Sequence, residues 1–205
     1  MNIHLSLYSM RIKDENKEHA IRKKTIEIIV KDGVDGLSMQ KLAKAAKVSP
    51  ATIYLYFKNK NDLITQVYLD VTKKMTEASL KNFNPDMRFA EGLRVQWANR
   101  AKFCLKYPLE NQFMEQLRNT PFHSKAIHVE GESFGEIMRK FITRAVERKE
   151  MIPFPSVEVF WAVAYAPLYL LIRFHQQGKS FNKKFVMTDE KMRQTLTLVI
   201  KALSP

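Results

Sequence analysis

Apolar residues return every three or four positions along almost the entire chain, and that period constrains the fold more than any other feature. Over roughly 15–32, Ile21, Thr25, Ile28 and Ile29 make one helical stripe; over roughly 62–80 the stripe is Leu63, Val67, Tyr68, Val71 and Met75. Further helices are predicted over 39–46, 50–57, 86–106, 109–119, 124–149, 156–177 and 189–203. Their breaks are Gly33 and Gly36, Asn82 to Pro85, Tyr107-Pro108, Thr120-Pro121, Ile152 to Pro155, and the polar stretch 178–188. Only 6 glycines and 8 prolines interrupt 205 residues, too few turn formers for a β-rich fold, and no segment reads convincingly as a strand. The expectation is an all-α protein of about nine helices, with Pro167 kinking the penultimate one.

Charge narrows the partner. Lys and Arg number 34 against 21 Asp and Glu, a formal net charge of +13, which suits nucleic acid or an anionic membrane surface. The excess is spread out: residues 1–64 hold 12 basic and 7 acidic groups, and the remainder 22 and 14. The longest apolar run, Val159 to Ile172, has 14 residues, whereas a membrane span needs roughly 20. Met1 to Met10 lacks the segments of a signal peptide. The lone Cys104 excludes an internal disulfide framework and suits a reducing cytoplasm. Catalysis has no foothold. His123 and His128 are five apart rather than the four that would put both on one helical face, and there is neither a glycine-rich phosphate loop nor a serine elbow. No metal and no cofactor are expected.

The most informative stretch runs from Ser38 to Ile64. Ser38 is suited to cap one short helix and Ser49 a second, with Pro50 at the first helical position, where a missing N–H costs nothing. Two short helices separated by three or four residues form a helix-turn-helix, whose second helix enters the DNA major groove. Leu42 and Ala46 face inward, Ala43 is small where the helices cross, Val48 plugs the turn, and Ile53 and Phe57 anchor the second helix. Ser49, Pro50, Ala51, Thr52, Tyr54, Leu55 and Tyr56 then point out. That face is odd against water and sensible against phosphates and base edges.

These residues resemble the amino-terminal signature of the tetracycline-repressor (TetR) family: a hydroxyl residue at Ser38, the Leu42-Ala43 pair, Ala46, Val48-Ser49, Tyr54, Phe57, Lys60 and Leu63, matching over roughly 18–68. Lys47 departs from it, standing where the family usually has a turn glycine at positive φ, at a cost of about 1 kcal/mol. The resemblance implies phosphate contacts from Lys60, Tyr54 and Tyr56, backbone contacts from Ser38 and Gln40 (Gln40 also within reach of an adenine edge), and methyl contacts to thymine from Ala51 and Thr52. The recognition helix lacks Arg, Asn and Gln, so apolar contact and DNA shape are expected to carry much of the specificity.

Beyond residue 68 the sequence says less. The helix over 156–177 is apolar nearly all round, and the last helix has the spacing of a packing seam; together Phe160, Leu168, Leu171, Met192, Leu196, Val199 and Leu203 are expected to form a dimer interface, as the resemblance also implies. It further implies a small-molecule pocket among the middle helices, with Trp97, Phe103, Phe113, Met114, Phe134, Met138, Trp161, Tyr165 and Tyr169 as candidate lining for an apolar effector. The expected organisation is a flexible tail over 1–14, a DNA-binding domain over 15–68 and an effector-binding and dimerisation domain over 69–205. The expected function is a cytoplasmic homodimeric repressor of a palindromic operator on double-stranded DNA. The alternative is a helical interaction module for a protein partner or an anionic membrane surface. Activation in place of repression is open at this stage.

Overall fold

The computed structural model describes the backbone of residues 3–153 and 156–205, and the side chains of 15–125, 134–153 and 156–205. Of the expected tail, residues 1 and 2 and the side chains of 3–14 therefore lie outside the described residues. The chain divides into two compact units, Met1–Thr72 with Leu109–Val129, and Lys73–Pro108 with Glu130–Pro205.

The first unit contains α1 (Ile3–Asp32), α2 (Met39–Ala46), α3 (Pro50–Tyr56), most of α4 (Lys60–Leu80), nearly all of α6 (Pro108–Leu117) and the start of α7 (Pro121–Glu147). Its core is the set the helical period picks out: Ile21, Ile28 and Ile29 of α1, Leu42 of α2, Ile53 of α3, and Leu63, Val67 and Tyr68 of α4 are all buried. Phe113 and Leu117 of α6 complete it. The Gln116 side chain donates to the Val30 carbonyl at 3.0 Å, fastening α6 to the end of α1.

The second unit contains α5 (Phe89–Lys106), the remainder of α7, α8 (Val157–Ala164), α9 (Ala166–Gln177) and α10 (Asp189–Leu203). Within it α10 packs against α5, α8 and α9. Gly92 lets α5 pass close to α7, because a Cβ there would meet the Phe141 ring at 2.5 Å. The Glu150 carboxylate accepts from the first amide of α5, Phe89 N, at 2.7 Å, which caps that helix with a negative charge at its positive end.

The all-helical expectation holds, with differences in detail, the first being that α1 begins at Ile3, inside the expected tail over 1–14 and ahead of the predicted residue 15. The predicted helix over 156–177 is two helices, α8 and α9, bent by 44°. Pro167 is the cause: it has no N–H to offer the carbonyl one turn back, and its ring obstructs that carbonyl. Residues 178–188, expected to be strandless, hold a two-residue hairpin in which β1 (Lys179–Ser180) pairs antiparallel with β2 (Lys183–Lys184). Its turn residues Phe181 and Asn182 both have positive φ, 47° and 63°, the twist that suits a tight hairpin. Finally, α7 begins at Pro121, ahead of the predicted residue 124. No single helix among the described residues is long and apolar enough to cross a membrane.

Candidate nucleic-acid interface

Both cap assignments made from sequence are observed. Ser38 Oγ accepts from Lys41 N at 3.2 Å and opens α2; Ser49 Oγ accepts from Thr52 N at 3.1 Å and opens α3, with Pro50 in its first turn. Between them Lys47 closes α2 in the left-handed conformation, φ 55° and ψ 43°. A lysine thus pays the conformational cost usually left to glycine, and the tight turn is kept. Val48 N reaches back to the Ala43 carbonyl at 3.0 Å, and the Val48 side chain is half-buried against the core.

Helix α3 is held from beneath by Ile53 and Phe57, both essentially fully buried. Arg22 of α1, which sequence reasoning passed over, secures the far end. Its guanidinium lies 5.1 Å from the Phe57 ring centre and binds Glu18, Gln66 and Asp70, the last at 2.8 Å. An arginine that covers an anchor residue while bridging α1 and α4 fixes the angle at which α3 leaves the domain. On an isolated helical pattern it reads only as a solvated charge.

The opposite side of α3 meets solvent. Pro50, Ala51, Tyr54 and Leu55 are exposed, Tyr54 at 54% and Leu55 at 82%. Ser49 is exposed and Thr52 half-buried; their hydroxyls pair at 2.9 Å, which leaves Thr52 its methyl and part of its hydroxyl capacity to offer a base. Tyr56 is half-buried, packed against the core with its ring 6.3 Å from Phe57, so it is a less outward residue than its position in the sequence suggests. Ser38 and Gln40, at the start of α2, are exposed.

Lys60 is the first residue of α4 and half-buried. The positive end of α4 already has a carboxylate of its own. Asp62 Oδ2 accepts from Lys58 N at 2.8 Å, and that hydrogen bond, with further help from Gln66, holds the Asp62 carboxyl below the usual carboxylate range. Any phosphate attraction at this corner thus comes from the Lys60 ammonium more than from the helix end. Lys44, Lys47 and Lys58, which sequence reasoning left out, are exposed in the same segment, while Lys41 is engaged by Asp32 at 2.9 Å.

The candidate pocket residues separate. Phe113 and Met114 belong to the first unit, where Phe113 packs 5.9 Å from the Tyr68 ring. Trp97, Phe103, Met138 and Tyr165 are buried in the second unit, and Phe134, Trp161 and Tyr169 are half-buried there. The Trp97 indole donates to the Ala164 carbonyl at 2.8 Å, which marks it as a core strut. The seam residues also sort differently from the expectation. Phe160, Leu168, Leu196, Val199 and Leu203 are buried by the chain's own helices, and Leu171 and Met192 are half-buried. The large exposed apolar side chains of α8, α9 and α10 are instead Val157, Val159, Leu170 and Leu198. Periodicity finds the apolar stripe of a helix but does not say which neighbour covers it.

Two histidines have structural partners: His123 Nδ1 lies 2.8 Å from the Tyr68 hydroxyl, and His175 Nδ1 accepts from Met187 N at 3.3 Å. The His128 side chain is outside the described residues. Among the described residues no group of His, Cys, Asp and Glu could hold a metal ion.

Residues 21–67 match the family model for bacterial regulatory proteins of the tetR family. An HTH-type transcriptional regulator of Haemophilus influenzae is 35% identical over 97 residues, 47% of this chain and 52% of that protein, so the match spans about half the relative's length. A TetR family transcription regulator from Marinobacter aquaeolei VT8 has a similar fold, with a TM-score of 0.81, 24% identity, and coverage of 94% of this chain and 98% of that one. A TetR-family protein from Vibrio parahaemolyticus aligns with a TM-score of 0.72 and 28% identity, over 91% of this chain and 98% of that one.

Proposed function

We propose that the chain is a transcriptional regulator of the tetR type, whose family model its residues 21–67 match, with a DNA-binding helix-turn-helix, and that it is a homodimeric repressor released from a palindromic operator by a small-molecule effector. The observation that carries the reading is the outward face of α3, where Tyr54 and Leu55 stand 54% and 82% exposed on a helix whose other side is fully buried. Large apolar side chains presented this way, on a capped helix fixed to a core, suit the methyl groups and sugar edges of a major groove.

Ser49, Pro50, Ala51, Thr52, Tyr54 and Leu55 are the proposed reading surface, with Tyr56, Ser38, Gln40 and Lys60 on the backbone. Lys44, Lys47 and Lys58 add phosphate contacts. The proposed dimer contact is the set Val157, Val159, Leu170 and Leu198, exposed on the helices where sequence reasoning expected the interface. A dimer of this kind offers its two recognition helices about 34–36 Å apart, one helical turn of DNA. Effector binding in the second unit favours a different spacing, and α4, which runs unbroken from Lys60 to Leu80, is the element that carries the change. By linkage, operator DNA weakens effector binding by the same factor.

Selection of binding sites from a random duplex pool tests this. The expected product is an inverted repeat with half-sites one turn apart; a selected site with no symmetry would remove the dimer. A Leu198→Glu variant should stay folded, elute as a monomer and lose operator affinity. Leu196→Glu, at a side chain only 7% exposed, should instead unfold the second unit.

A further inference from the structure

Arg100, in the middle of α5, is 4% exposed, yet among the described residues no carboxylate pairs with it. Its partners are neutral: one terminal nitrogen donates to the Tyr169 hydroxyl at 3.1 Å and the other to Gln96 Oε1 at 3.0 Å. Gln96 is itself fixed, its amide nitrogen donating to the Ser79 carbonyl at 3.0 Å, so its oxygen is turned toward the guanidinium. Nε is buried and makes no hydrogen bond. Around the guanidinium carbon stand the rings of Tyr165 at 4.7 Å, Trp161 at 5.3 Å and Phe134 at 5.5 Å. Burial acts to lower its pKa, but Tyr169 and Tyr165 outweigh that and the net direction is upward, so the group is a permanent cation.

A buried charge with no counter-ion among the described residues is costly, and a protein that needed only a well-packed core would place methionine or leucine here. The arrangement is that of half an ion pair. Phe134, Trp161 and Tyr169 are only half-buried, so the aromatic side of the cluster borders solvent. The flat rings suit an apolar body, and the N–H groups not used by Tyr169 and Gln96 suit an anionic head. We infer that the effector is a carboxylate on a flat apolar body and that Arg100 is its counter-ion, with Phe134, Trp161, Tyr165 and Tyr169 against the body. This rests on reading the second unit as an effector domain. It differs from the expectation of a purely apolar effector, because the charge at Arg100 is invisible in a helical stripe.

The test uses the full chain and three probe pairs: benzoate, 2-naphthoate and decanoate, each beside its uncharged primary amide. Binding is followed by tryptophan fluorescence and by titration calorimetry. In at least one pair the carboxylate should bind roughly tenfold to a hundredfold tighter than the amide. Arg100→Met should abolish that preference and Arg100→Lys should keep part of it. Without ligand, Arg100→Met should melt higher than the parent, whereas a residue with a purely structural role would melt lower when replaced. No carboxylate preference in any pair, or a preference that survives Arg100→Met, overturns the inference. If Arg100→Met does not fold, a lower melting point for Arg100→Lys together with equal binding of acid and amide to the parent does the same. Retention of duplex DNA is measured on the same samples: normal retention without an anion preference defeats this inference alone, while absent retention defeats the regulator reading.

Discussion

The two units each break the ordinary rule of burial, in opposite senses. In the first, Leu55 and Tyr54 stand in solvent on a helix that has an excellent core beneath it; in the second, Arg100 sits in the interior among aromatic rings. An exposed leucine or a buried arginine taken singly means little. Each becomes informative here because the surrounding structure is well satisfied: caps are made, helix ends are closed, and the anchors Ile53 and Phe57 are essentially dry. Cost without structural benefit marks the places where a second molecule completes the arrangement, duplex DNA in one case and a small anion in the other.

The comparison is broken most severely by removing what supports the exposed face. Phe57→Ala should cost about 3–5 kcal/mol in denaturant unfolding, since the ring is 1% exposed and Arg22 stacks on it. Tyr54→Ala, one turn away on the outer side, should change stability by less than about 0.5 kcal/mol while weakening duplex binding severalfold. If both variants lose stability, α3 is simply a core helix. Next in size, Arg100→Met should raise unfolding free energy by about 1–4 kcal/mol, the opposite sign from Phe57→Ala. A loss there would make the two irregularities unlike. Lys47→Gly should gain about 1 kcal/mol by relieving the left-handed residue, with the same denaturant slope. The smallest effect is Lys60→Ala, which should leave stability alone and reduce the dependence of log affinity on log salt by about 1, measured across an ionic-strength series.

Most of the first unit was legible because its determinants are local. The spacing of Leu42, Ile53 and Phe57, the serines before Met39 and Pro50, and the need for positive φ at Lys47 are statements about neighbours in sequence, and all are observed. Long-range features were not legible. That α6 joins the first unit, putting Phe113 against Tyr68, depends on chain return over some forty residues, which periodicity does not encode. Leu196, Val199 and Leu203 were rightly placed on an apolar seam, but the seam is filled from within the chain. Arg100 and Arg22 looked like any charged residue on an amphipathic helix; only their surroundings distinguish one as a buried cation with no carboxylate partner among the described residues and the other as a brace. The hairpin after α9 escaped because a two-residue lysine-rich strand carries no alternation to read.

The central claim is that the solvent face of α3 exists to lie against DNA, and placing a negative charge on that face tests it most directly. Fluorescence anisotropy of a selected duplex at modest ionic strength should show Leu55→Glu binding at least about a hundredfold more weakly than the parent, because a carboxylate then faces base edges and phosphates. Its melting curve should be unchanged, since the parent side chain is 82% exposed. A Leu55→Glu protein that holds the duplex as tightly as the parent would contradict the account.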